Sequence, residues 1–158
     1  MHPRAQALIE ALELRPHPEG GYFREIHRSR ARVQPQDRRP IRNALTTIYF
    51  LLAAGTHSRW HCVASDEVWH LYEGGPLELR IADSDVTRTE VVCLQQASAS
   101  AGPVGIVPAG HWQAARSLGD YSLVGCTVGP GFEFEDFVFL RDSRLAVRLS
   151  DPLDVALL

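Results

Sequence analysis

Short hydrophobic runs, separated by glycine, proline and acidic residues, recur along the chain from residue 22 onward. Residues 43–52 are mostly β-branched, aromatic or aliphatic, whereas residues 77–81 alternate apolar with charged side chains. Runs of this length and composition are typical of β-strands. Strands are predicted over 22–28, 43–52, 77–81, 87–93, 104–107, 112–116, 121–128 and 132–140, and at both ends of segment 55–74.

Helical spacing of apolar residues occurs only near the two ends of the chain. An apolar stripe predicts a helix over 4–13, and Pro3 suits its first turn. A second, short helix is predicted over 142–149, with Pro152 closing it. Residues 29–42 are rich in Arg, Gln and Pro and show no periodicity, which predicts a mobile surface loop. A lid over a binding site is one role that such a loop can have.

Many short strands with helices at the ends predict an all-β architecture, a sandwich or a barrel. No repeat or linker divides the sequence, and a length of 158 residues suits one hydrophobic core. We therefore predict a single domain over residues 1–158.

Composition and charge exclude several classes of partner. A net charge of −3 gives no general attraction to nucleic acid or to an anionic membrane. No apolar run approaches the length of a membrane span, and charges interrupt the N-terminal segment where a signal peptide needs an apolar core. The three cysteines, an odd number without C-x-x-C spacing, favour a reducing compartment over a disulfide framework or a thiolate zinc site. We expect a cytoplasmic protein with no nucleic-acid or membrane partner.

The candidate chemistry lies in segment 55–74, GTHSRWHCVASDEVWHLYEG. In an extended run His61 and Val63 share one face, and Glu67 and Trp69 share one face of the next strand. Folding as a hairpin of paired strands would bring His61 and Glu67 together on one inner wall. Burying either side chain without a partner is costly, so the pair is the candidate catalytic site.

The spacing of these residues resembles the first cupin motif, G-x5-H-x-H-x3-4-E-x6-G, with Val63 at the position of its second histidine. The second cupin motif, G-x5-P-x-G-x2-H-x3-N, is matched by Gly102, Pro108 and Gly110, with Gln113 at its histidine position. Longer segments, among them LRPHPEGGYFRE, SDEVWHLYEG and VPAGHWQAA, resemble one small family of single-domain cupins of unassigned function over residues 8–140. The resemblance implies a double-stranded β-helix, the cupin jelly roll, and a homodimer. In fold that family is similar to the metal-free deoxysugar-nucleotide epimerases.

Metal-binding cupins hold their ion with three histidines and one glutamate. At those positions this chain carries His61, Val63, Glu67 and Gln113, so one ligand is missing and one is an amide, a poor ligand for transition metals. His57 would share the face of His61 if the strand ran unbroken, which leaves His57, His61, Glu67 and Gln113 as an alternative set for a divalent metal. We expect no tightly held metal and no other cofactor.

Six further residues are predicted to contact a small-molecule ligand: Gln113, Trp69, Trp112, Tyr49, Arg24 and Phe132. Gln113 offers a donor and an acceptor, and Arg24 suits an anionic group. His61 is the candidate general base, because the pKa of histidine lies near neutral pH. Glu67 would orient its ring or stabilise its charged form. The expected function is binding of a small polar, sugar-like metabolite with metal-independent isomerase or epimerase chemistry. A non-catalytic ligand-binding cupin and a metal-dependent cupin enzyme stay open as alternatives.

Overall fold

Two antiparallel β-sheets face each other in the computed structural model, which describes residues 1–98 and 100–158. The six-stranded sheet has the order β1-β2-β5-β12-β7-β10, the five-stranded sheet the order β13-β6-β11-β8-β9, and β3 and β4 pair separately. The strands are β1 Arg15–Pro16, β2 Tyr22–Arg28, β3 Arg32–Val33, β4 Arg42–Asn43, β5 Thr46–Ala53, β6 His57–Val63, β7 Asp66–Gly74, β8 Leu77–Ala82, β9 Thr89–Leu94, β10 Val104–Val107, β11 Trp112–Ser117, β12 Tyr121–Gly129 and β13 Phe137–Phe139. The prediction of an all-β jelly roll is confirmed.

The core lies between the two sheets, where alternate residues of each strand point inward. Phe50 and Trp69 from the six-stranded sheet pack against Leu77 and Leu79 from the five-stranded sheet, and all four are at most 1% exposed. Burial of this apolar surface is the main force that holds the sheets together.

Helices occur at both ends, as predicted, but the C-terminal one lies elsewhere. The first, α1, spans Pro3–Ala11, and the second, α2, spans Pro152–Ala156. Residues 142–149 contain only a short 3-10 helix, Arg144–Arg148. The prediction that Pro152 closes a helix is wrong, because Pro152 is the first residue of α2. Asp151 caps this helix, since its side chain accepts from the amide of Leu153. Among the described residues, no helix is long and apolar enough to cross a membrane.

The predicted strand over 132–140 is also mostly wrong. Phe134–Asp136 forms a 3-10 helix, and only Phe137–Phe139 pairs, with β6. The 3-10 turn brings Asp136 within reach of Arg42, whose two bonds to that carboxylate measure 2.9 Å each. Arg39 reaches the same carboxylate and the Ser65 hydroxyl. The segment 29–42, predicted as a mobile loop, is therefore tied by ion pairs to a segment almost a hundred residues later.

The corner between β6 and β7 differs from the predicted hairpin. The two strands do not pair with each other, because β6 belongs to the five-stranded sheet and β7 to the six-stranded sheet. The chain crosses from one sheet to the other through Ala64 and Ser65. His61 and Glu67 consequently face the interior from opposite walls.

A tight turn at Gly20 and Gly21 leads into β2. Both residues have positive φ, +116° and +68°, and a Cβ atom on Gly20 would overlap the carbonyl oxygen of His57. The close approach lets the carbonyl of Glu19 accept from the amide of Arg59 at 2.8 Å. The turn thereby docks the residues before β2 against strand β6.

We predict that Gly20→Ala lowers the free energy of unfolding by about 2 kcal/mol or more, since the new methyl group meets backbone and the φ angle is strained. Gly102→Ala is the matched control: a Cβ atom at that position would have no neighbour within 4 Å and its φ is not positive, so a change within about 0.5 kcal/mol is expected. Urea denaturation of both variants checks this, and equal stabilities would contradict the role of the turn.

Candidate functional site

A cavity of about 100 Å³ lies between the sheets at the end of the barrel where β2, β5 and β6 meet the 132–137 segment. Its inner polar lining consists of His17, Glu19, His61 and Glu67. Partly exposed Glu25, Arg28 and Glu133 lie at its mouth. The remaining walls are mostly apolar: Phe23, Ile48, Val63, Val128, Phe132, Phe134 and Phe137, with the Cys126 thiol and Thr46 beside them. The Thr46 hydroxyl accepts from the Phe132 amide at 3.0 Å.

Glu19 stands at the centre of the polar lining although it is only 7% exposed. One carboxyl oxygen accepts from the Ser58 hydroxyl at 2.8 Å. The other lies 3.3 Å from Nε2 of His61 and 3.5 Å from Nδ1 of His17. Nδ1 of His17 also accepts from the backbone amide of Glu19 at 3.3 Å, which engages its lone pair, so the carboxyl exchanges its proton with His61.

The tautomer of His61 follows from its partners. Nδ1 lies 2.7 Å from the carbonyl oxygen of Arg59, which can only accept, so Nδ1 carries a proton. Burial lowers the pKa of His61 and raises the pKa of Glu19, which favours the neutral form of both. Nε2 is then the basic nitrogen, and a single proton of the Glu19 carboxyl can lie between the two groups. Phe137 stacks on the imidazole with ring centroids 5.1 Å apart.

Glu67 approaches from the opposite wall and is held from behind. Its Oε2 accepts from the Gln113 amide at 2.6 Å, and the Gln113 carbonyl accepts from the Trp69 indole at 2.9 Å. Burial raises the pKa of Glu67 to about 6, while the nearby His61 opposes the rise. A carboxyl group with this pKa gains and loses protons close to neutral pH.

His57 does not share the inner face with His61, because the condition of an unbroken strand is not met. His61 lies opposite Gln113 and Ser58 lies opposite Ala115, which means that β6 carries one extra residue between these pairs. This β-bulge reverses the alternation of side chains. Ser58 therefore points inward to Glu19, and His57 points outward.

The predicted ligand contacts divide into three groups. Phe132 lines the cavity. Trp69 and Gln113 are buried directly behind it, and the two ends of the Gln113 amide are already engaged. The last group lies away from the cavity. Tyr49 meets Tyr72 edge to face on the outer face of the sheet, Arg24 pairs with Glu13, and the Trp112 indole donates to the carbonyl of Ser84.

His17 and Glu19 were not predicted as site residues. The turn that follows them carries both side chains into the cavity. The available signal was the Gly20-Gly21 pair, which permits a close backbone approach and so marks a segment that docks against another. Phe134 and Phe137, also not predicted, line the cavity as well.

The residues at the positions that hold metal in other cupins, and His57 beside them, do not supply a full set of ligands here. His57 faces outward, Val63 has no donor, and the Gln113 oxygen accepts from Trp69. Among the described residues, no three or more His, Cys, Asp or Glu side chains form a group that could hold a metal ion. The side chains therefore do not fit the metal site of the resemblance.

A jelly roll with an inward-facing His and Glu at the first motif defines a protein of the cupin class. The chain belongs to a family described as Cupin superfamily (DUF985), whose model matches residues 6–140. No functionally curated protein matches the chain.

Solved structures agree with this assignment. A hypothetical protein from Leishmania major is 32% identical, with 85% of each chain covered and a TM-score of 0.78. A protein from Shewanella oneidensis is 34% identical, with 85% of this chain and 83% of that chain covered and a TM-score of 0.76. Oxalate decarboxylase from Bacillus subtilis, at 17% identity and a TM-score of 0.58 over 89% of this chain and 32% of that one, shares the fold.

We predict that wild type loses about 2 kcal/mol of stability relative to Glu67→Gln as the pH rises from about 4.5 to about 7. The folded pKa of Glu67, about 6, lies above its ordinary value of 4.5, so between these values the folded state binds more protons than the unfolded state. Ionising the buried carboxyl therefore destabilises the fold. Denaturation of both proteins across this pH range checks the prediction, and parallel pH curves would contradict it.

Proposed function

We propose that the cavity binds a small polar metabolite and catalyses metal-independent proton transfer of the isomerase or epimerase class, with His61 as general base. The observation that carries this proposal is the His61–Glu19 pair, 3.3 Å apart and buried in a cavity. A buried acid and base in contact cost stability that apolar residues would not, so a chemical role is favoured.

The first step takes a proton from a carbon beside a substrate carbonyl. Nε2 of His61 accepts this proton once the ligand displaces the Glu19 carboxyl from it, and the electron pair of the C–H bond moves toward the carbonyl oxygen. Nδ1 stays bonded to the Arg59 carbonyl, which holds the ring in place and supports its positive charge. General base catalysis of this kind contributes about a hundredfold to ten-thousandfold in rate.

The second step returns a proton to the substrate. The neutral Glu19 carboxyl, displaced from Nε2 of His61 by the ligand, donates this proton, while the ionised Glu67 faces the His61 imidazolium across the cavity and stabilises its charge. Delivery of the proton to the opposite face of the same carbon inverts that stereocentre, while delivery to a neighbouring atom gives an isomer of the substrate. Gln113 acts through Glu67, whose carboxyl it orients, and is therefore a positioning residue.

The phenylalanine walls support the same chemistry by excluding water. Phe132, Phe134 and Phe137 surround the imidazoles of His17 and His61. Low polarity around the reacting groups strengthens their hydrogen bonds and charge interactions.

We predict that His61→Ala lowers the rate of proton transfer by about a hundredfold to ten-thousandfold, because the general base is lost. The control is His57→Ala, the same change four residues earlier on the outward face. A ligand that copurifies from cell extract is identified by mass spectrometry, and its deuterium uptake in heavy water is compared among the proteins. Glu67→Gln is expected to slow the uptake as well.

Undiminished uptake by a folded His61→Ala protein would contradict the assigned base. A ligand that is bound but never exchanged by wild type would favour the alternative of a non-catalytic ligand-binding cupin. Uptake that requires an added divalent metal would favour the metal-dependent alternative.

We also propose that the protein is a cytoplasmic homodimer. Its three cysteines are unpaired, which suits a reducing compartment. The outer face of the six-stranded sheet exposes Tyr72, Val104 and Ile106, with relative accessibilities of 54%, 46% and 61%. These residues lie on the adjacent strands β7 and β10 and form an apolar surface beside an open sheet edge.

We predict that wild type sediments at twice the chain mass of 17.6 kDa and that Ile106→Glu sediments at the chain mass, because a buried unpaired charge opposes association. Val147→Glu, which changes an apolar residue 88% exposed on a different surface, is expected to stay dimeric. A monomeric wild type at micromolar concentration would contradict the proposed dimer.

A further inference from the structure

The charges that line the cavity are mostly negative. The lining holds carboxylates at Glu67 inside and at Glu25 and Glu133 at the mouth, whereas burial favours the neutral form of Glu19. Arg28 is the one guanidinium among the described residues of the lining. Burial lowers the pKa of His17 and His61, so neither imidazole adds a lasting positive charge.

Arg28 has no donor left for a ligand. Its guanidinium has five N–H bonds. Two donate to the Glu25 carboxylate at 3.0 and 2.9 Å, and one each to Glu133 at 2.7 Å, Asn43 at 3.2 Å and the Phe132 carbonyl at 3.1 Å. Arg24, the other arginine considered as an anion partner, lies outside the cavity and pairs with Glu13. A phosphate or carboxylate group would therefore enter the cavity without a cationic partner, at a high desolvation cost.

One carboxyl oxygen of Glu67 faces the cavity and accepts no hydrogen bond from a strong donor. Only 6% of the residue is exposed, and its Oε2 is occupied by Gln113. No N–H or O–H group of a described residue reaches its other oxygen, and the neighbouring Cys126 thiol is a weak donor. A buried carboxylate oxygen in this state is the complement of a ligand N–H group, most of all a charged one.

The aromatic walls favour the same kind of ligand. Three phenylalanine rings lie around the cavity. The ring centroid of Phe132 is 5.1 Å from that of Phe134 and 6.2 Å from that of Phe137. A cation over the face of such rings is attracted by their quadrupole. The volume of about 100 Å³ is small beside the roughly 300–1,000 Å³ of sites for drug-sized molecules, so the ligand is compact.

We propose that the cavity selects a compact ligand that carries an ammonium group and no anionic group, with the ammonium bound between Glu67 and the phenylalanine rings. This inference rests on the proposed function, since it names the class of metabolite that the same cavity takes. It excludes nucleotide sugars, the substrates that the fold similarity to the epimerases suggests.

The test compares three small monosubstituted benzenes of similar size and different charge: benzylammonium, benzyl alcohol and benzoate. Binding to the full-length protein is measured by NMR titration at neutral pH. We expect benzylammonium to bind at millimolar concentration about tenfold more tightly than benzyl alcohol, and benzoate not to bind. Benzoate binding as tightly as benzylammonium, or no binding of benzylammonium at millimolar concentration, would overturn the proposal.

Two variants locate the source of the preference. Glu67→Gln keeps the size of the side chain and removes its charge, so benzylammonium should lose its advantage over benzyl alcohol. Glu90→Gln, the same change at an exposed position of β9 outside the cavity, should keep the wild-type preference. A preference that survives Glu67→Gln would overturn the assigned binding mode.

The outcome is separable from that of the proposed catalysis. Benzylammonium binding together with a copurified ligand that never exchanges its protons refutes proton transfer and leaves the ligand class standing. Preferred benzoate binding refutes the ligand class, while deuterium uptake that depends on His61 would still support the general base.

Discussion

A carboxyl group buried between two imidazoles is the constraint on which this cavity depends. Glu19 cannot keep a charge there cheaply, because burial removes its hydration. The carboxyl contacts His61 and His17, so it can share its proton with an imidazole or transfer it. Its second oxygen accepts a hydrogen bond from the Ser58 hydroxyl. The acid and the base are thus kept neutral by their surroundings and ready to exchange protons with each other.

Three features of the backbone are needed to hold this arrangement. The Gly20-Gly21 turn brings the segment before β2 against β6, the bulge in β6 turns Ser58 inward, and the crossing between sheets after β6 places Glu67 on the opposite wall. Arg42 forms a buried ion pair with Asp136, and Arg28 bonds to the Phe132 carbonyl and the Glu133 side chain. These contacts fix the phenylalanine segment that closes the cavity, so the ion pairs serve the site as well as the fold.

The fold was largely predictable from the sequence because strand signals are local. Alternation over 77–81 and the β-branched run 43–52 mark strands without knowledge of their partners, and the spacing of the two motifs places His61 and Gln113 as neighbours in one sheet. The candidate site was only half predictable, since its other half depends on contacts between distant segments. A bulge cannot be read from residue types alone, so the sequence could not show whether the strand runs unbroken from His57 to His61. Glu19 was not predicted as a site residue because its burial depends on contact with β6, about forty residues away. The strand predicted over 132–140 is mostly absent because Asp136 pairs with Arg42, which lies 94 residues away in the chain.

The hydrogen-bond chain from Trp69 through Gln113 to Glu67 restricts which residue types can occupy these three positions together. An indole N–H can only donate, so the group at position 113 must offer an acceptor to Trp69 and a donor to Glu67. A histidine restored at position 113 would meet both demands only with its proton on the nitrogen that faces Glu67. A nitrogen that carries a proton has no lone pair for a metal. As long as Trp69 is present, a histidine at position 113 would therefore bridge Trp69 and Glu67 by hydrogen bonds and would not bind a metal. Residues 69 and 113 are expected to change together during the divergence of metal-binding and metal-free members of the class.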